Sequence, residues 1–437
     1  METPIYDFLK NYSASGTLRC HMPGHKGIIG ELPYQLDITE IKGADSLFEA
    51  DGIILRAEKN ISRLYGTAAS FFSAGGSTLC IQAMLAAMKF QGRTVVAVRN
   101  VHRAFLNAAA LLDLDVRWII PNYTDGILSG KIDPDEVEKA LASAENPCLY
   151  VTSPDYTGRM ADIPALAEIC RRYNAPLLVD NAHGAHLRFF PESLHPIDLG
   201  ADICCDSAHK MLPALTGAAF LHTSREDYGA NLRQYMSLFA STSPSYLIMC
   251  SLDLCAKYLD EKISEDIKAG LHQLEKLRKR FSGRLIFSDG EPFHLTVKAA
   301  ESGFDGGELA ELLRKNGVEC EYSDGGIVAL LMSPANTAED FRRLGDALEK
   351  SLDSAEKKPR RSIFAEFTLP EKAISIRQAV FSPCEEIPVE KAEGRICGAV
   401  KIPCPPAVPI AASGEIIDKS CINIFKTYGI SSVIVVK

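Results

Sequence analysis

Pro176-Leu177-Leu178-Val179-Asp180 and, about thirty residues on, Ser207-Ala208-His209-Lys210 are the stretches that decide the fold. The first is a short apolar run ending in a carboxylate. The second follows Ala201-Asp202-Ile203-Cys204-Cys205-Asp206, which reads as another short buried strand. In an open α/β sheet, ligands sit at the carboxyl ends of the strands, so Asp180 and Lys210 occupy one rim and can face one ligand.

Outward from these runs, strands alternate with helices. Phe71 to Ala74 reads as a strand leading into a helix from about Ser77 to Phe90. Thr94 to Val98 is a strand before a helix from Arg103 to Leu111. Strands at Val116 to Ile120 and Cys148 to Thr152, a helix at Ala161 to Tyr173 and a strand at Ala218 to His222 complete the pattern. The alternation predicts an α/β fold with a mostly parallel sheet and helices on both faces. One long helical stretch from about Ser245 to Arg280 follows. Beyond Arg284, strands at Phe293 to Val297 and Ile327 to Met332, with helices near Gly307 to Asn316 and Thr337 to Ser351, predict a smaller α+β domain. Ala355 to Arg361 reads as a charged linker. The Pro403 to Pro409 run reads as an extended loop or surface strap.

A chain of 437 residues is long enough for two or three domains. Its formal net charge of −9, with both signs interspersed, offers no nucleic-acid face and no polybasic membrane patch. Met1-Glu2-Thr3-Pro4 lacks a basic flank and an apolar run, and no apolar stretch approaches membrane-spanning length, so a cytoplasmic location is expected. The 13 cysteines are scattered in neither a disulfide framework nor zinc-ligand spacing, so buried thiols and no metal site are expected.

A lysine amine and a carboxylate on one rim are what pyridoxal 5'-phosphate (PLP) requires. The amine holds the aldehyde as a Schiff base, and the carboxylate keeps the pyridine nitrogen protonated. Ala74-Gly75-Gly76-Ser77-Thr78 lies between a strand and a helix, where glycines and helix N–H groups suit a phosphate. It reads equally as a turn with a Ser or Thr N-cap. His102, past the strand ending at Val98, can stack on a planar ring. Ser207 and His209 flank the loop that would surround the phosphate. Ser241-Thr242-Ser243-Pro244-Ser245 is a hydroxyl-rich turn before a helix.

Taken in order, His21-Met22-Pro23-Gly24-His25-Lys26-Gly27, Asp37-Ile38-Thr39-Glu40, Gly75 to Thr78, Arg99-Asn100-Val101-His102-Arg103, Asp180-Asn181-Ala182-His183-Gly184-Ala185-His186, Ser207 to Lys210 and Ser241 to Tyr246 resemble the ornithine/lysine/arginine decarboxylase family of fold-type-I PLP enzymes. Glu393-Gly394-Arg395-Ile396, Pro405-Pro406 and Gly414-Glu415 resemble that family's C-terminal domain, in a short form without the N-terminal wing. The resemblance implies an aspartate aminotransferase-like large domain. It divides the chain into an arm at 1–45, the PLP-binding large domain at 46–260, a small α+β domain at 261–355 and a decarboxylase-type C-terminal domain at 356–437.

It also implies roles. Lys210 would carry the cofactor, Asp180 would pair with the pyridine nitrogen, and His102 would stack on the ring. Ser77, Thr78, Ser207 and His209 would surround the phosphate, with His183 among the cofactor-binding residues. Thr242 or its serine neighbours would reach the cofactor of the other subunit, in a homodimer with shared active sites or a higher oligomer. The implied activity is decarboxylation of a small-molecule substrate, a basic amino acid, with Lys210 or His209 returning a proton to Cα. Glu415 and Asp45 are candidates to pair with the substrate's cationic end.

The chain departs from the family pattern at Cys404 and Ala407, where Tyr and Gly are usual, and at Ser413, Asn181, Leu79 and Arg103. Two other readings stand beside decarboxylation. One is a PLP-dependent aminotransferase or other Cα reaction, with Arg377 or Arg395 clamping the α-carboxylate. The other is a catalytically degenerate PLP-binding dimer.

Overall fold

The computed structural model describes residues 1–27, 31–123, 126–362, 367–399 and 408–437. The chain forms two compact units, Met1–Gln91 with Pro176–Ile267, and Gly92–Ala175 with Lys268–Lys437.

In the first unit four strands run in the spatial order Ala69–Ser73, Ala219–Thr223, Ile203–Asp206, Leu177–Asp180. The last two are parallel, with Asp180 opposite Cys205. Ala219–Thr223 runs antiparallel to both of its neighbours. The cause is the connection: between Asp206 and Ala219 the chain makes only the one-turn helix Ala208–Met211, too little for the crossover that a parallel return needs. The helix Gly76–Phe90 packs against Glu226–Phe239.

The helix Pro4–Ala14 is held by a distant carboxylate. Its first-turn N–H groups at Ile5 and Tyr6 donate to Asp253 Oδ2 at 2.9 and 3.1 Å, filling the donors that every helix start leaves open. Burial pushes Asp253 up to about 6 from 3.8. The folded chain therefore binds this proton more tightly than the unfolded chain. The group favours folding below the ordinary carboxylate value, and that contribution is lost as pH rises through about 6. We expect hydrogen-exchange protection at Ile5 and Tyr6, corrected for intrinsic rate, to fall between pH 5 and pH 7 (roughly one unit either side of that value). Asp253→Asn should show no such step; an identical step in that variant would remove Asp253 as its source.

In the second unit Thr94–Val98 lies between Pro147–Thr152 and Val116–Ile119, all parallel. Val95 to Val98 are entirely buried, the signature of a strand covered on both faces. His294–Val297, Val328–Leu331 and Tyr322–Ser323 form an antiparallel sheet beside the helices Gly306–Lys315 and Ala338–Ser354. A capping box starts the last helix: Thr337 Oγ1 accepts from Asp340 N, and Asp340 Oδ2 accepts from Thr337 N. A third sheet, Cys384–Pro388, Ser432–Val436 and Cys397–Ala399, encloses the C-terminal core.

Two expectations change. The long helix is two, Tyr246–Glu261 and Ile263–Phe281, broken at Lys262 where φ is −135°. The charged stretch 355–361 is laid against the short helix Ala299–Ser302 and its C-cap Gly303, with Lys358 N donating to Gly303 O at 2.9 Å and Arg361 N to Ala300 O at 3.1 Å.

Candidate active site

In the first unit, Asp180 ends its strand with 2 % of its surface exposed. Its Oδ1 accepts from Ala182 N at 3.2 Å and lies 3.6 Å from Cys205 Sγ. Lys210 sits on the one-turn helix Ala208–Met211, its Nζ 2.8 Å from His183 Nε2. Three residues earlier, Ser207 Oγ donates to Ser77 Oγ at 2.8 Å. The sequence thus brings together Asp180, His183, Ser207, Lys210 and Ser77 within one unit.

Ser77 and Thr78 are not caps. The helix Gly76–Phe90 starts from Gly75, with no side chain capping it. Gly76 has φ +66° and nothing within 4 Å of where a Cβ would stand, so the turn leaves open space at the helix start. Two hydroxyls facing one another beside that space suit a phosphate dianion, which accepts from both. The residues present fit pyridoxal 5'-phosphate: an amine on an exposed turn, a buried carboxylate, and a hydroxyl-lined helix start.

His209 Nδ1 lies 2.9 Å from Ala218 O and donates to it, which leaves Nε2 for another partner. Thr242 is exposed on the turn before helix Tyr246–Glu261, whose N-cap is Ser245, accepting from Ile248 N. A cavity of about 340 Å³ joins this turn to the phosphate-type turn, lined by Ser241, Ser245, Thr78, Leu79, Phe48 and Phe239 among others.

In the second unit, His102 is the N-cap of helix Arg103–Leu112, its Nδ1 accepting from Ala104 N at 3.1 Å, which fixes the ring's orientation. Three residues earlier, Arg99 makes a two-pronged pair with Glu415: Nη1 to Oε1 at 2.8 Å and Nη2 to Oε2 at 2.6 Å. Arg99 is completely buried and its guanidinium lies 4.7 Å from the Trp118 ring centroid. Glu415 Oε2 also accepts from Ala412 N. Gly414, at φ +92° and with Ile374 O only 2.4 Å from a would-be Cβ, makes the turn that presents Glu415.

These bonds correct four expectations. Glu415 is spent on Arg99 and is not the substrate's carboxylate. Asp45 accepts from the backbone of Ser46, Asp51, Gly52 and Ile54, so it ties a loop to the helix Ile53–Tyr65. Although burial works against it, these bonds hold its carboxyl below the usual range. Arg377 donates to Ala110 O and Leu111 O at a helix end, and Arg395 to Glu385 and Val436 O, so neither guanidinium stands ready to clamp an α-carboxylate. The Cys404 and Ala407 departures lie outside the described residues. Asn181 donates to Asp206, a contact unforeseen because nothing in the sequence pairs them.

The fold and this rim of residues define the fold-type-I class of PLP-dependent enzymes. Solved structures share the fold: a lysine decarboxylase of Francisella novicida (TM-score 0.81, 17 % identity, 99 % of this chain and 79 % of that one) and, more distantly, a serine palmitoyltransferase of Sphingomonas wittichii (TM-score 0.57, 13 % identity, 71 % and 79 %). The family model for the Orn/Lys/Arg decarboxylase major domain matches residues 3–299. An arginine decarboxylase of Bacillus subtilis is 29 % identical over 97 % of this chain and 93 % of that protein. The chain belongs to the Orn/Lys/Arg decarboxylase family, as its motifs led one to expect, and is a decarboxylase; membership implies PLP as cofactor. No helix among the described residues is long and apolar enough to cross a membrane.

Proposed function

We propose that this chain decarboxylates a basic amino acid, arginine or lysine before ornithine, to the corresponding amine, feeding polyamine synthesis. The observation that carries the reading is the grouping of Lys210, His183, Asp180 and the Ser77–Ser207 hydroxyl pair in one unit. The Bacillus relatives named arginine decarboxylase, alike over nearly their whole length, favour arginine.

When bound, PLP supplies the electron sink for the carbanion left as CO₂ departs. The chain's own residues do the rest. Lys210 would hold the cofactor through its side-chain amine. Asp180, buried at the end of its strand, would hold the proton on the pyridine nitrogen. Ser77, Thr78, Ser207 and His209 would bind the phosphate, and His102 would cover the ring. His183, touching Lys210 Nζ, accepts or returns a proton at that atom, so that Lys210 or His209 can deliver one to Cα. The reading includes a cytoplasmic homodimer, or a higher oligomer, with Thr242 reaching the other subunit's cofactor. It keeps the arm, large, small and C-terminal domains at 1–45, 46–260, 261–355 and 356–437.

The test is CO₂ release from PLP-loaded protein offered arginine, lysine and ornithine separately, with the amine identified by mass. We expect release from arginine or lysine. Silence on all three, with the lysine-linked cofactor absorbance intact, would discard basic amino-acid decarboxylation in favour of another Cα reaction or a degenerate binder.

A further inference from the structure

The strands Leu177–Asp180 and Ile203–Asp206 end together. Asp180 stands opposite Cys205, and Asn181 N still donates to Cys205 O at 3.0 Å, so Asn181 meets Asp206 where the backbone ladder stops. Alternation turns Cys205 toward Asp180 and turns Asp206 the other way. From this point one segment runs into His183 and the other into Lys210, whose Nζ lies 2.8 Å from His183 Nε2.

Between Asn181 and His195 the chain leaves the sheet. It turns at Gly184, whose N–H donates to Asn181 O at 2.8 Å, passes through the one-turn helix Leu187–Phe189 and returns to Asp206 at His195. Both ends of this excursion are fastened to one carboxylate. Asn181 Nδ2 donates to Asp206 Oδ1 at 2.7 Å, and His195 Nε2 lies 3.1 Å from Asp206 Oδ2. Ile197 N donates to His195 Nδ1 at 3.4 Å, so the ring proton is on Nε2, aimed at Asp206. All three side chains are completely buried. Although burial works against it, His195 and His222, whose Nε2 stands 3.4 Å from Oδ2, hold the Asp206 carboxyl below the usual range. An ionised carboxylate only accepts, which is what two converging donors require. An amide in its place would turn its own N–H groups on one of them.

We propose that Asp206 is a positioning residue: by closing the excursion 181–195 at both ends, it seats His183 against Lys210 Nζ. The inference rests on the reading of Lys210 as the cofactor's lysine and extends it to the group that exchanges a proton with that amine. His183 lies two residues past Asn181, so an unfastened start carries the imidazole with it, and a hydrogen bond of 2.8 Å tolerates little displacement. Tyr65 braces the same turn from the side, its Oη donating to Ala185 O at 2.7 Å. The carboxylate touches neither Lys210 nor the cofactor's ring partner Asp180; it acts through Asn181 and His195. Sequence spacing hides the role because strand register, not a short motif, brings Asn181 to Asp206.

The experiment follows the capture of added PLP by the full-length cofactor-free chain, read as the growth of the lysine-linked absorbance, in wild type, Asp206→Asn, His183→Gln and the double variant. We expect Asp206→Asn to slow capture about tenfold and His183→Gln to slow it at least as much. Because Asp206 acts through His183, the double variant should be no slower than His183→Gln alone, whereas a residue that only supports the fold slows both backgrounds by the same factor. Asn181→Ala, which frees one end and leaves Asp206 its His195 bond, gives the same expected pattern should Asp206→Asn not fold. Equal factors in the two backgrounds, or capture within about twofold of wild type in the folded variant, would overturn the proposal. Wild-type protein that captures no PLP would remove the cofactor reading itself, and this inference with it.

Discussion

Lys210→Ala should lose turnover by on the order of 10⁴-fold or more while keeping its fold. Lys210 is exposed on its helical turn, and the buried positions of that turn are Ala208 and Met211. Truncation therefore opens no cavity, and thermal unfolding should match wild type. The cofactor absorbance that depends on the lysine should vanish. His183→Gln should cost less, on the order of 10²-fold, because it removes only a proton partner of Nζ. Turnover within tenfold of wild type in Lys210→Ala (about 1.4 kcal/mol of barrier) would sink the assignment.

Arg99→Met should be strongly destabilising, by about 3–5 kcal/mol, because it removes the countercharge of the buried Glu415 and leaves that side chain only its bond from Ala412 N. Glu415 is 4 % exposed and Arg99 not at all, so water cannot take over from either partner. The double change Arg99→Met with Glu415→Gln should recover much of the loss, since two neutral groups carry no uncompensated charge. Denaturant unfolding of the single and double variants measures the coupling. A double variant no more stable than Arg99→Met would mean that packing on Trp118, not charge, is what Arg99 contributes.

The difference between what was and was not legible is physical. Thr94–Val98 and Leu177–Asp180 were readable because strands buried on both faces must be continuously apolar. Cys384–Pro388 was not: its residues are exposed or half-buried, so no apolar period marks it. Lys210 and Asp180 stood out because their chemistry is rare in that order along a sheet. Glu415 and Asp45 were misassigned because a carboxylate's letter says nothing of its partner. Glu415 is 316 residues from Arg99, and Asp45 is occupied by backbone donors that no side-chain pattern announces. His183 was legible only as a neighbour of Asp180; its contact with Lys210 needs the turn after the next strand.

The Arg99–Glu415 pair also sets an order of events at the ribosome. At about 5–20 residues per second, Glu415 is made roughly 15 to 60 s after Arg99. Throughout that interval the guanidinium that precedes His102 has no countercharge to close upon, and before the interval ends every residue of the Lys210 unit, whose last residue is Ile267, has been made. A nascent chain thus holds its lysine before it can pair Arg99, and a message cut short ahead of Glu415 yields a polypeptide that carries the amine of Lys210 yet cannot complete its second unit.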